Sequence, residues 1–240
     1  MPKDRRKIVI AGSLWMAVQY TAIHTQNQMV KREARAAISN PARESLNAKT
    51  SWQRLMLVLA ANFHSRDLVV TLSYRDENLP PTREKADQRL SYFIRNLREY
   101  RKQLGKELVY VRITEGYHSD GRLHHHLIIN TTGEDYSAVC SLWSRDGDNV
   151  DFEAFGHDGP ERWAKYLTKE PREKGRRYVG DRTWRTSRNV KKPQVIYEYV
   201  SDESDLTPPP GAFILEKETK ENAFGKFCHM MARLPESVEK

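Results

Sequence analysis

Apolar residues recur along the chain with two different periods. Trp52, Leu55, Met56, Leu59 and Phe63 fall at three- and four-residue spacing and predict a helix over 49–63. Leu90, Phe93, Ile94, Leu97 and Tyr100 repeat that period and predict a second helix over 83–104, opened by Pro80-Pro81-Thr82 and ended by Gly105. Asp67 to Tyr74 is rich in β-branched residues and predicts a strand. Leu108 to Glu115 and Arg122 to Asn130 predict two more strands, and the turn-rich Gly116 to Gly121 between them implies an antiparallel hairpin. A short helix over 136–143, a strand over 150–155 and a helix over 160–169 with proline in its first turn follow. Beyond them, 194–200 and 212–215 read as strands on either side of a proline-rich turn at 207–211, and 222–233 reads as a helix. Residues 25–50 are polar and read as helical or loosely ordered.

The central order is strand, helix, strand, strand, helix, strand, helix. It predicts an α+β fold, a central antiparallel sheet with helices packed on one face. The corresponding division is a core over 66–172, an N-terminal extension over 1–65 of a strand or hairpin plus helices, and a basic segment with a C-terminal strand and helix over 173–240.

Composition narrows the partner. A chain of 240 residues can bury a real core as one domain with extensions. Its net charge of +8 favours nucleic acid or an anionic membrane surface. The excess is local: Glu161 to Lys192 holds 12 Lys/Arg against 4 Asp/Glu. Tyr178 and Trp184 interleave these charges and could stack on bases, which favours a DNA-facing segment over a merely solvated loop. Two cysteines, Cys140 and Cys228, in no Cys-x-x-Cys spacing argue against a disulfide scaffold and for a reducing cytoplasm. No apolar run approaches the ~20 residues that span a membrane. Lys3, Arg5, Arg6 and Lys7 before the apolar 8–18 have the shape of a short signal peptide. A hairpin turning at Gly12-Ser13 competes with that reading and is favoured.

The chemistry begins at His124, His125 and His126, inside an apolar run. A strand sends alternate side chains to opposite faces, so His124 and His126 project together about 7 Å apart as two ligands of one metal ion. His125 points the other way and is structural. A third ligand is needed. Glu115, at the end of the partner strand, is preferred over His118 and Asp120 in the loop. A hard oxygen suits Mg²⁺ or Mn²⁺, whereas the imidazole pair fits Mn²⁺ or Zn²⁺ at least as well. Further on, Tyr166 and Lys169 stand three residues apart, on one face of a continuous helix. There the lysine would lower the phenol pKa and neutralise a phosphate, and Tyr166 would be a covalent nucleophile. Taken alone, Tyr166 fits a core-facing stripe with Trp163 and Leu167 better.

Together these segments resemble the HUH endonucleases, and within them the single-tyrosine rolling-circle replication initiators (Rep) of bacterial plasmids and phages. Leu68 to Tyr74 resembles the first motif, Arg122 to Asn130 the His-hydrophobe-His motif with His125 at the hydrophobe, and Tyr166-Leu167-Thr168-Lys169 the Tyr-x-x-Lys motif. Ile113 to Gly116 resembles the segment that supplies the acidic ligand. The tyrosine follows the histidines, as in Rep proteins, and residue 170 is glutamate rather than a second tyrosine. The resemblance implies an RRM-like palm that nicks and rejoins one strand of origin DNA through a 5′-phosphotyrosine and a divalent metal. It implies Tyr166 and Lys169 in catalysis and Glu115, His124 and His126 on the metal. Lys165, Arg172, Lys174, Arg176, Arg177, Arg182, Arg185, Arg188, Lys191 and Lys192 would contact DNA. Single-stranded origin DNA, a host helicase and a host polymerase are the implied partners, since no Gly-x-x-x-x-Gly-Lys-[Ser/Thr] motif is present. The alternatives are a non-cleaving nucleic-acid-binding regulator on the same scaffold and a single-strand transposase of the same superfamily.

Overall fold

The computed structural model describes residues 3–21, 41–116, 122–147, 149–169, 183–201, 204–222 and 225–235. Its elements begin with β1 (Lys3–Ala11), β2 (Leu14–Thr21), α1 (Pro41–Asn62), β3 (Leu68–Ser73), α2 (Arg83–Gln103), β4 (Tyr110–Glu115) and β5 (His124–Ile129). They continue with α3 (Asp135–Trp143), β6 (Asn149–Ala154), α4 (Gly159–Leu167), β7 (Arg185–Thr186), β8 (Gln194–Ser201), β9 (Phe213–Asn222) and β10 (Gly225–Arg233). Two compact units result, one of residues 41–191 and one of residues 1–40 with 192–240. Each holds a five-stranded antiparallel sheet, so the α+β class holds.

In the unit of residues 41–191 the sheet order is β6-β3-β5-β4-β7. Leu68, Val70 and Leu72 of β3 and Leu127 and Ile129 of β5 bury one face against Leu90, Phe93, Ile94 and Leu97 of α2 and Val139 and Trp143 of α3. Thr82 caps α2, its hydroxyl accepting from the Lys85 N–H. Val69, Val111 and Ile128 alternate to the opposite face and are buried as well. Helix α1 carries the expected apolar stripe, and the Phe63 ring just beyond its end meets Phe155, whose carbonyl accepts from the Trp163 indole of α4. β7, which no periodicity announced, pairs with β4 over only two residues.

An ion pair is sealed in this core. Arg101, at the end of α2, donates to Asp135 at 2.6 Å with both side chains fully buried, and also to the Asn130 carbonyl. Removing one partner leaves the other charge buried and alone, which costs about 3–5 kcal/mol. Asp135→Leu is therefore expected to lower the urea midpoint of unfolding by that equivalent, against a change within about 0.5 kcal/mol for the exposed Glu99→Gln.

The unit of residues 1–40 and 192–240 has the sheet order β8-β1-β2-β10-β9. Its hairpin β1–β2 closes through Gly12-Ser13 with Ala11 opposite Leu14, and Gly12 takes a positive φ of 54°. The segment with a signal-peptide shape is thus a sheet hairpin. The expected helix over 222–233 is instead strand β10, paired with β2 on one side and β9 on the other. Cys228 to Ala232 are all buried, so the two-residue alternation that marks a strand is absent, and Met and Ala add helix propensity. β9 extends well past the expected 212–215, because a charged edge strand with little burial carries no apolar pattern.

Among the described residues, no helix is long and apolar enough to cross a membrane.

Candidate functional site

Register builds the site. Glu115 at the end of β4 lies directly opposite His124 of β5, and His126 lies between Ile113 and Thr71. All three side chains therefore share one sheet face. The His124 and His126 Nε2 atoms stand 3.2 Å apart, and Glu115 Oε2 lies 3.5 and 3.4 Å from them. Three ligand atoms within such a triangle leave one point that an ion could occupy.

The surroundings orient these groups. A carbonyl can only accept, so the His124 Nδ1–H donates to the Arg122 carbonyl at 2.8 Å, and Nε2 keeps its lone pair toward the cluster. His126 Nδ1 lies 3.0 Å from the Thr71 hydroxyl, which can hold it in the same sense. The Arg122 carbonyl is in place because Gly116, at φ +89°, lets the chain pass where a Cβ would collide with it. Burial alone would raise the Glu115 carboxyl, but the two imidazoles, when a proton sits on the Nε2 facing it, outweigh burial and hold the group at about 2; a cation would take that proton's place. Its Oε1 is buried with no hydrogen-bond partner among the described residues. An orphaned carboxylate oxygen beside two converging imidazole nitrogens fits a divalent cation.

Tyr166 faces the same cluster. Its ring meets His126 edge to face at 5.5 Å and Trp163 at 5.6 Å, and it is 49% exposed. It does not belong to the buried stripe of α4, which is Trp163, Ala164 and Leu167. Its hydroxyl is pushed above the usual phenol range by burial, then by the Glu115 and Glu153 charges. Lys169 is not among those influences, contrary to the expected lowering. The regular helix also stops at Leu167, where the Thr168 hydroxyl bonds back to the Ala164 carbonyl, so Tyr166 and Lys169 do not share one uninterrupted helix.

His125 points to the opposite face, as alternation requires. The Tyr74 hydroxyl lies 2.6 Å from its Nε2, its Nδ1 lies 2.9 Å from Thr114 Oγ1, and that hydroxyl donates to Asp87 at 2.7 Å. Since Thr114 gives its proton to Asp87, His125 donates from Nδ1 and accepts from Tyr74. Burial, then the neighbouring cationic groups, drive its pKa down to about 3, so it stays neutral.

Of the expected DNA contacts, Lys165, Arg185, Arg188, Lys191 and Lys192 are exposed. Arg172, Lys174, Arg176, Arg177 and Arg182 lie outside the described residues, as do Tyr178, His118 and Asp120. Trp184 is half-buried and donates to Ser51 Oγ at 3.2 Å, which makes it an anchor on α1 rather than a free stacking ring. Sequence reasoning did not single out the parts of Thr71 and the Arg122 carbonyl; strand pairing would have been needed to see them.

An antiparallel palm with a carboxylate–imidazole cluster and a tyrosine laid against it belongs to the class of sites suited to metal-assisted phosphate chemistry. Residues 67–171 match the family model for replication-associated protein ORF2/G2P. That span contains Glu115, His124, His126 and Tyr166, and the match supports a rolling-circle replication initiator. No curated protein and no solved structure matches the chain.

Proposed function

We propose that this protein is a single-tyrosine HUH nuclease that nicks and rejoins one strand of origin DNA to start rolling-circle replication. The observation that carries the reading is the convergence of Glu115 Oε2 and the two histidine Nε2 atoms within 3.5 Å, with the Tyr166 ring against His126. Glu115, His124 and His126 would hold a divalent ion, Mg²⁺ or Mn²⁺, which when bound supplies charge to a non-bridging phosphate oxygen. Tyr166 Oη forms the new bond to phosphorus while the bond from phosphorus to the 3′ oxygen breaks. The phenol gives up its proton to solvent and the departing 3′ oxygen takes one, leaving a 5′-phosphotyrosine and a 3′-hydroxyl. The reverse reaction, with a new 3′-hydroxyl as nucleophile, rejoins the strand. A half-exposed Tyr166 suits this exchange, since a strand must reach it and leave it. Lys165, Lys169 and the basic 161–192 segment would gather phosphates around the site.

The deciding experiment incubates the protein with labelled single-stranded DNA from its own replicon and Mn²⁺, then looks for a denaturant-stable protein–DNA adduct. A regulator without cleavage would bind in a salt-sensitive manner and give no adduct. Activity on transposon-end DNA but not on origin DNA would point to the transposase reading.

The supporting shell gives a separate expectation. Thr71→Val keeps the shape and the β-branched strand preference of the side chain and removes the hydroxyl beside His126 Nδ1. Losing such a partner typically costs about 10–100-fold in metal affinity. Calorimetric titration with Mn²⁺ should show that loss while the melting temperature stays near wild type.

A further inference from the structure

Strand register in the unit of residues 1–40 and 192–240 arranges side chains in rows across five strands. One row runs Tyr199, Arg5, Tyr20, Phe227, Lys220 from β8 to β9. The next runs Tyr197, Lys7, Val18, His229, Glu218. Both lie on the face opposite the apolar cluster of Trp15, Ala17, Cys228, Met230 and Leu206. The rings stay open to solvent: Tyr197 is 75% exposed, Tyr199 68%, and Tyr20 and Phe227 39% each. Two cations line them, Arg5 at 5.6 Å from the Tyr199 ring and Lys7 at 5.9 Å from the Tyr197 ring.

We infer that this face binds single-stranded DNA, with bases stacking on Tyr197, Tyr199, Tyr20 and Phe227 and phosphates meeting Arg5 and Lys7. Single exposed aromatics are ordinary on a protein surface. Four on one face, interleaved with cations, are the elements of a stacking platform for an unpaired strand. Tyr197 and Tyr199 stand two residues apart on β8, about 7 Å, while Tyr20 and Phe227 face each other across one strand pair about 5 Å wide. The dimensions accommodate a strand with its bases laid flat, which a duplex cannot offer because its bases are already stacked.

Charge agrees in sign. Arg5 and Lys7 face the rings from β1, and no acid from β1 or β8 shares this face. The acids that do share it, Glu216 and Glu218, sit on β9 at the far edge, and Glu218 pairs with Lys220 at 2.7 Å. The choice of DNA draws on the replication-associated family match of residues 67–171. It does not draw on Tyr166 or on a metal, so the two proposals can fail separately.

The test uses the full chain in EDTA and fluorescein-labelled dT20, a strand without an origin sequence, followed by anisotropy. Replacing Tyr197 and Tyr199 together by Ala should weaken binding by about tenfold or more, from the stacking lost at two rings. Replacing both by Phe keeps the rings and should hold affinity within about threefold of wild type. A strand carrying 5-iododeoxyuridine should crosslink wild-type protein within residues 194–201. Wild-type affinity in the double Ala variant, or crosslinks confined to residues 41–191, would overturn the inference. So would an equal loss in the double Phe variant, or a tenfold preference for rU20 over dT20. A change in sedimentation without a change in dT20 binding would also overturn it, and would make this face a self-association surface.

Discussion

Tyr166→Phe is expected to abolish the covalent protein–DNA adduct while leaving DNA binding within about tenfold of wild type. The substitution deletes one oxygen. As nucleophile that oxygen is indispensable, so adduct formation should fall below detection. As a binding group it is worth at most one hydrogen bond, about 0.5–1.5 kcal/mol, which sets the limit on the change in affinity. The ring keeps its contacts with His126 and Trp163, so the melting temperature should barely move. Tyr74→Phe makes a sharp contrast. That hydroxyl is buried on the opposite face and serves His125, so its loss should cost about 1–3 kcal/mol of stability and leave the adduct intact. Both are read on one denaturing gel and one melting curve. An adduct that survives in Tyr166→Phe would move the nucleophile to another of the eleven tyrosines.

Much of the palm is legible in the sequence for physical reasons. β3 and β5 bury one face under α2 and α3, and Val69, Val111, Ile113 and Ile128 fill the other, so these short apolar runs between turn residues read as strands. The direction of the three histidines followed from strand alternation alone. Glu115 could be chosen only as a strand-end carboxylate, and the register sets it opposite His124. Other parts had no local signal. The second sheet assembles from both ends of the chain, and nothing in a linear pattern announces that β1 will pair with β8. β10, buried on both faces, carries no alternation, and β9 has almost nothing buried to pattern. The break at Thr168, where a hydroxyl bonds back to Ala164, separates Lys169 from the helix of Tyr166 although their spacing suggested one face.

The cluster's chemistry yields the second large effect. His126→Ala and Glu115→Gln should each lower the nicking rate by about 10²–10⁴-fold, the equivalent of several kcal/mol of lost charge stabilisation at a phosphate. Their metal affinities should fall with the rates, since each removes one of the three ligand atoms that converge among the described residues. The two variants differ in a second respect. Glu115 is a carboxylate held at about 2 by its imidazole neighbours, so Glu115→Gln removes a charge from between them, whereas His126→Ala opens space beneath the Tyr166 ring. Excess Mn²⁺ should therefore restore more activity to Glu115→Gln, whose amide oxygen can still coordinate, than to His126→Ala. Treating the wild type with chelator and adding metal back in a titration sets the reference for both. Full nicking by chelated protein, with metal removal verified by elemental analysis, would leave the Glu115–His124–His126 cluster a hydrogen-bonded structural feature and put the charge stabilisation on the basic side chains around Tyr166.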